Sequence, residues 1–265
     1  MNLKKEGEIM TVRDIYEYLN SVAQFKTQEG WDNSGIMAGD FDDEVKKILF
    51  ALDFTPEVVK EAEELGCTLI VNHHPALFHP AKSFVSGTNG LYEAVRAGIS
   101  VIASHTCLDM ADGGVNDVLC SALELKNIIK LYPESDDAPI MRAGTTERPS
   151  VEDFAEFVSK KLKGAVRFTG KRDVEKIAVC SGSGCSFLKF AAESGYDTFV
   201  TGDASHHDFL DAQMMNINLI AAGHFETENI VMSVLAEKTG DKFKDIETFV
   251  SSQKSPVGTV IFNGS

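Results

Sequence analysis

Val71-Asn72-His73-His74-Pro75 is the stretch whose reading decides the fold. It continues an apolar run that begins at Cys67 and Thr68 and passes through Leu69 and Ile70, which reads as a short buried strand. The chain thus delivers two imidazoles at the carboxyl end of a strand and then stops the element with a proline. In open α/β sheets ligands bind at that end of the strands, and imidazole is the commonest metal ligand. Neighbouring residues of an extended chain point to opposite faces. That predicts two metals, or one metal and one supporting role, rather than one metal held by both histidines. A solvated loop carrying two histidines is the alternative.

Composition narrows the class. A chain of 265 residues can hold one large or two small domains around a substantial core. Its net charge of −15 argues against nucleic acid and anionic membrane as partners, because phosphate contacts need clustered Lys and Arg. No apolar run approaches the length of a membrane span. Residues 1–9 are polar and charged, so no secretory leader is read and the cytoplasm is expected. Cys67, Cys107, Cys120, Cys180 and Cys185 form no CxxC pair, which fits a reduced compartment. Cys67, Cys120 and Cys180 sit in apolar runs and read as core.

Outward from the opening motif, the pattern alternates strands and helices. Residues 11–23 carry a helical stripe with Thr11 as N-cap. Trp31-Asp32-Asn33-Ser34-Gly35 reads either as a structural turn or as a loop facing a site, and leads into a strand at 36–38. A strand at 47–52 precedes a helix that Thr55 caps, Pro56 opens and Gly66 closes. His79 lies in a loop and reads as structural or solvated. After a helix at 91–97, a strand at 99–103 delivers His105-Thr106-Cys107-Leu108-Asp109, followed by a helix to about 123. Residues 128–149, with Pro133, Pro139, Pro149 and an acidic turn at 134–137, read as a link. A helix from Ser150 and strands at 165–168 and 176–180 follow, then a helix at 226–238 and strands at 246–250 and 258–262.

The second half repeats the grammar of the first. Setting Gly195 against Gly66 aligns Ile177-Ala178-Val179 with Ile48-Leu49-Phe50, and Val200 with Val71, without a gap. Where half one has His73-His74, half two has Asp203 followed by His206-His207. His105 precedes Asp109, and His224 precedes Glu228, by the same four residues. The fold class is therefore α/β, with two domains that look like a duplicated half. They are expected at 1–125 and 126–265, the C-terminal segment packing back on the first. Six of the seven histidines fall at strand ends. On a helix, His224 and Glu228 share one face. Mixed imidazole and carboxylate ligation suits Zn, Fe or Mn. Two such metals lower the pKa of bound water, which points to hydrolysis.

Six motifs in order then resemble one family. They are Thr11-Val12-Arg13-Asp14-Ile15, Trp31-Asp32-Asn33-Ser34-Gly35, Asn72-His73-His74-Pro75, His105 to Asp109 with Gly113-Gly114-Val115-Asn116-Asp117, Gly202-Asp203 with His206-His207, and Gly223-His224-Phe225-Glu226-Thr227-Glu228. The chain resembles the YbgI-like dinuclear metal-centre family, named GTP cyclohydrolase 1 type 2 homologues, in its short form without an inserted domain. The resemblance implies two interlinked α/β domains, two divalent metals per subunit and a homohexamer. It implies metal ligation by His73, His74, Asp109, His224 and Glu228, with Glu228 bridging. His73 and His224 would serve one metal, His74 and Asp109 the other. His105 would stand beside the metals as an orienter or proton carrier, and Asp203 and His207 would line the pocket for acid-base work. Cys107 stands where the family usually has Asn, and reads as packing rather than an extra ligand.

The activity expected is hydrolysis of a small molecule, nucleotide-like or phosphate-bearing. A metal-binding assembly or interaction protein is the alternative. No Gly-x-x-x-x-Gly-Lys-Ser/Thr loop is present for a triphosphate. Ser181-Gly182-Ser183-Gly184 is either a plain tight connection or a weak phosphate cradle.

Overall fold

In a computed structural model, which describes residues 9–87, 89–133, 139–148 and 150–258, the local signals act where they stand. Asp14 accepts from the Thr11 amide at 2.8 Å and closes a capping box on α1 (Val12–Val22). The strands β1 (Gly35–Ala38) and β2 (Lys47–Ala51) follow. Thr55 caps α2 (Pro56–Leu65) through the Val58 amide, and Gly66 ends it in the left-handed region at φ 72°. Next come β3 (Leu69–Asn72), α3 (Leu91–Arg96), β4 (Ser100–Ala103) and α4 (Thr106–Met110). Then come α5 (Val115–Ala122), β5 (Lys126–Leu131), β6 (Met141–Arg148), α6 (Val151–Leu162), β7 (Arg167–Thr169) and β8 (Val174–Cys180). The chain finishes with α7 (Leu188–Glu193), β9 (Thr198–Thr201), α8 (His206–Met214), β10 (Asn218–Ala221), α9 (His224–Glu228), α10 (Ile230–Lys242) and β11 (Glu247–Val250). Among the described residues no helix is long and apolar enough to cross a membrane.

These elements form two units. One takes the described residues up to Asp112 together with Met232–Gln253; the other takes Gly113–Val231 and the described residues from Lys254. The chain leaves the first unit after Asp112, returns within α10 and leaves it again after Gln253, so the α/β domains are interlinked. The boundary expected at 125 falls inside the second unit. Leu119, Cys120, Leu123 and Leu125 explain why: they bury in the same cluster as Phe154, Val158, Ile177 and Val200.

The first unit holds a five-stranded sheet of order β1-β4-β3-β2-β11. β2, β3 and β4 are parallel and β1 runs antiparallel to β4. Leu49, Ile70 and Val101 turn one face toward Val58, Ala62 and Leu91 of α2 and α3. Residues 247–250 pair with β2 in parallel, and Gln253 accepts from the Leu52 and Asp53 amides at 2.6 and 3.1 Å. The segment after α10 thus supplies the edge strand β11 of this sheet.

The second unit holds a six-stranded sheet of order β5-β6-β8-β9-β10-β7. Its core repeats the first: β8, β9 and β10 are parallel, and β7 runs antiparallel to β10. Even the register repeats, with Ile48 opposite Leu69 and Ile177 opposite Thr198, as the gapless alignment requires. Alternation puts Ile177, Val179, Val200 and Ile220 on one face under α5 and α6. Ala178, Phe199 and Leu219 face the other side, with Leu188, Ala191 and Ala212 of α7 and α8. Sheet two is thus a middle layer between helices, which is why its strands read as continuous apolar runs.

Two expectations change. The supposed link at 128–149 contains most of β5 and β6, an antiparallel pair that extends sheet two through β8. The helix expected from Glu226 starts earlier, at His224, and Asn229 separates α9 from α10. The acidic turn at 134–137 and, beyond Gly258, the last expected strand lie outside the described residues.

Candidate metal centre

In the first unit the donors stand at the carboxyl ends of β3 and β4. His73 and His74 follow β3 directly, but the chain bends there instead of staying extended. Their amides still bond Ala51 and Leu52 of the neighbouring strand, and the Asn72 side chain donates to the His74 carbonyl. The bend overturns the expectation of opposed side chains: the two rings lie with centroids 5.0 Å apart. His105 joins them, its ring 5.0 Å from His73 and 5.5 Å from His74. One ligand atom from each of the three lies within 4.8 Å of the others. Asp109, one turn along α4, brings Oδ1 to 3.6 Å from His73 Nε2. Cys107 is buried beside them with Sγ 3.4 Å from Ser104 Oγ, and burial pushes its thiol pKa up. It behaves as packing.

In the second unit His224 opens α9 and Glu228 follows one turn later. His224 Nε2 stands 3.1 Å from Glu228 Oε2, and Asp203, just after β9, takes His224 Nδ1 at 2.7 Å. His207 sits exposed on the first turn of α8, its ring beside that of His206.

The imidazoles share one arrangement. Nδ1 of His73 meets the Ser104 carbonyl at 2.8 Å, that of His74 meets Asp53 at 2.7 Å, and that of His105 meets Asp32 at 2.9 Å. His224 uses Asp203 in the same way. Carbonyls and carboxylates only accept, so each Nδ1 carries a proton, and in the neutral ring Nε2 is then the nitrogen with the lone pair. Oxygen partners of this kind orient and polarise metal-binding imidazoles. A lone pair 3.1 Å from a carboxylate oxygen is repulsive unless a cation or proton lies between them. The donor set therefore fits a divalent metal. Buried His, Asp and Glu groups of this chain could hold such an ion.

Asp53 and Asp32 are the supporting residues that sequence reasoning left without a role. Asp53 had one signal, its place at the end of a strand; Asp32 had its motif alone. Burial pushes the Asp32 carboxyl upward, but hydrogen bonds from His105 and Thr106 and the His105 charge outweigh it and hold the pKa well below the usual carboxylate range. A pKa depressed in the folded state stabilises the fold above the unfolded value, about 4, and that stability fades as pH falls below it. The metal-free protein is therefore expected to lose stability below about pH 4, and Asp32→Asn to flatten that acid limb. Urea midpoints measured between neutral and acid pH check this; parallel curves for wild type and variant would remove Asp32 from the account.

The 181–184 turn is a plain connection. Three of its four amides are engaged within the protein: Ser181 donates to Asn116 at 2.8 Å, Gly182 to Thr227 at 3.2 Å and Gly184 to Thr201 at 3.0 Å. That leaves little of a phosphate cradle. What the turn does instead is make room. Gly182 lies at φ 58°, and a Cβ there would sit 2.1 Å from Glu228 Oε1 and 3.2 Å from His224 Nε2. Gly182→Ala is expected to displace the Glu228 carboxylate and weaken metal binding at least about tenfold, while left-handed alanine costs roughly 1–2 kcal/mol of stability. Metal titration and melting together test this; unchanged metal affinity would mean that Glu228 is no ligand.

The Duf34/NIF3 (NGG1p interacting factor 3) family profile matches residues 10–256. The chain belongs to the Duf34/NIF3 family. A Clostridium perfringens relative named GTP cyclohydrolase 1 type 2 homolog is 32% identical over 254 residues, which cover 92% of this chain and 97% of that protein. Among solved structures, a Staphylococcus aureus hypothetical protein is 30% identical with a TM-score of 0.88, covering 96% of this chain and all of that one. Protein ybgI, of unknown function, is similar in fold at 22% identity and a TM-score of 0.82, over 94% of this chain and all of that one.

Proposed function

We propose that this protein is a dinuclear metal-dependent hydrolase acting on a nucleotide-like or phosphate-bearing small molecule. His73 and His224 would hold one divalent cation (Zn, Fe or Mn), His74 and Asp109 the other, and Glu228 both. The observation that carries this reading is the shared posture of the four imidazoles, each with Nδ1 on an acceptor oxygen. Oxygen partners of this kind are what fix the ring orientation of metal-binding imidazoles. Cations bound there would act as Lewis acids and lower the pKa of bound water. The protein's own part is to fix the donors and move protons. His105, whose Nδ1 meets Asp32, would carry a proton on Nε2. Asp203 orients His224 and, with His207, is the next candidate for acid-base work. The name borne by the relatives directs the substrate search toward GTP and other nucleotides. A cytoplasmic homohexamer is part of the same proposal.

The test is metal analysis coupled to a hydrolase panel that includes GTP, with His74→Ala as the blank. Two equivalents of metal per subunit and turnover of a panel member, both reduced in the variant, are expected. Two bound equivalents without turnover of any phosphate-bearing member would favour a metal-binding interaction protein instead.

A further inference from the structure

The chain's only tryptophan is out of place for a structural residue. Trp31 is 57% exposed, and Phe78, whose ring centroid lies 6.1 Å away, is 41% exposed. Single exposed apolar side chains are ordinary; two touching aromatic rings beside a histidine cluster are not. Both rings meet His105 edge-on, at 5.7 and 5.4 Å. The backbone beneath them is pinned. Asp32 accepts from the Thr106 amide at 3.0 Å and from its hydroxyl at 2.5 Å, besides its bond to His105. Asn33 reaches across to the Leu77 carbonyl at 2.7 Å, which ties the Trp31 turn to the segment carrying Phe78. An aromatic surface held rigid before its ligand arrives loses little entropy on binding.

We propose that the open face of Trp31, buttressed by Phe78, is a stacking platform for a planar heteroaromatic ring of the purine kind, set beside His73, His74 and His105. This rests on the reading of the histidine cluster as a substrate site and adds how the substrate is recognised. Aromatic faces accept any base, because every base has a π-face. The position also suits a chain of net charge −15 whose Gly-rich turn has three of its four amides engaged internally. Recognition through a ring needs neither a basic patch nor an anion cradle. It would hold the ring within reach of His105.

Trp31 reports on its own occupancy, because no other indole contributes to the emission. Guanosine, which carries the ring and no phosphate, is titrated into metal-loaded and metal-stripped protein. Saturable quenching is expected, with ribose 5-phosphate giving none. Phe78→Ala should weaken the guanosine dissociation constant about tenfold, within what one stacked base contributes. Trp31→Leu, followed by calorimetry, should weaken it to a similar extent with metal content unchanged. Absent or linear quenching, equal in wild type and Phe78→Ala, overturns the platform. So does ligand-free emission that shifts red on dilution, since that would place the ring pair against a second copy of the chain. Metal content and turnover are read on the same samples. Quenching without turnover sinks the hydrolase alone; metal and turnover without quenching sink the platform alone.

Discussion

Glu228→Gln is expected to empty both cation positions, whereas Asp109→Asn empties mainly one. The asymmetry follows from the proposed ligand assignment, in which Glu228 serves both ions and Asp109 only one. Glu228 is 4% exposed and faces His224 Nε2 at 3.1 Å, so it cannot trade protein contacts for water without loss. Residues that merely orient ligands are worth roughly 10–100-fold in metal affinity, so loss of a bridging oxygen should exceed about 100-fold. Stability of the metal-free protein should move the other way. Two buried carboxylates, Glu228 and Asp109, carry charge that the ions would neutralise, and an amide removes one such charge without changing volume. Metal-free Glu228→Gln is therefore expected to melt no lower than metal-free wild type, while gaining less on metal addition. Metal content by atomic absorption, with melting curves with and without chelator, decides it. Two full equivalents in Glu228→Gln would end the bridging assignment, and a melting temperature well below wild type in chelator would show that Glu228 serves the fold.

How much of this was legible beforehand depends on whether the signal was local. Thr55, Pro56 and Gly66 bound their helix because capping acts within a few residues. The donors at 73, 74, 105, 109, 224 and 228 stood out because strand ends and i,i+4 spacing are local too. The histidine partners were another matter. Asp53 and His74 lie 21 residues apart and Asp32 and His105 lie 73 apart, so only the pairing of strands, parallel for β2 and β3 and antiparallel for β1 and β4, brings them together. The posture of His73 and His74 also escaped the sequence, because period-2 alternation holds only while the chain stays extended, and it bends at that point. β5 was hidden for a different reason. It is an edge strand, and five of its six residues are exposed, so burial leaves no pattern on it. β6 lacked a period as well, since its first four residues, Met141 to Gly144, are all buried, including an arginine.

That arginine carries the second large effect. Arg142 is 1% exposed and the bulkiest of the fully buried side chains. Its guanidinium donates to both carboxylate oxygens of Asp117 on α5, at 2.5 and 3.4 Å, and to the carbonyls of Pro139 and Met141 at 2.7 and 3.1 Å. Asp117 also accepts from the Gly113 amide at 2.6 Å, where the chain enters the second unit. The cluster thus fixes α5 on β6 of sheet two. Breaking a buried pair from one side costs about 3–5 kcal/mol, because it strands the remaining charge. Asp117 keeps about a quarter of its side chain exposed and can hydrate in part, so Arg142→Met is expected near the lower figure, about 3 kcal/mol. For the second unit that corresponds to a melting temperature lowered by roughly 10 °C. Adding Asp117→Leu should restore much of the loss, since a buried ion pair replaced whole by apolar groups is often neutral. If Arg142→Met melted within a degree of wild type, or if the double variant fell by the full sum of the singles, the pair would not be what anchors α5.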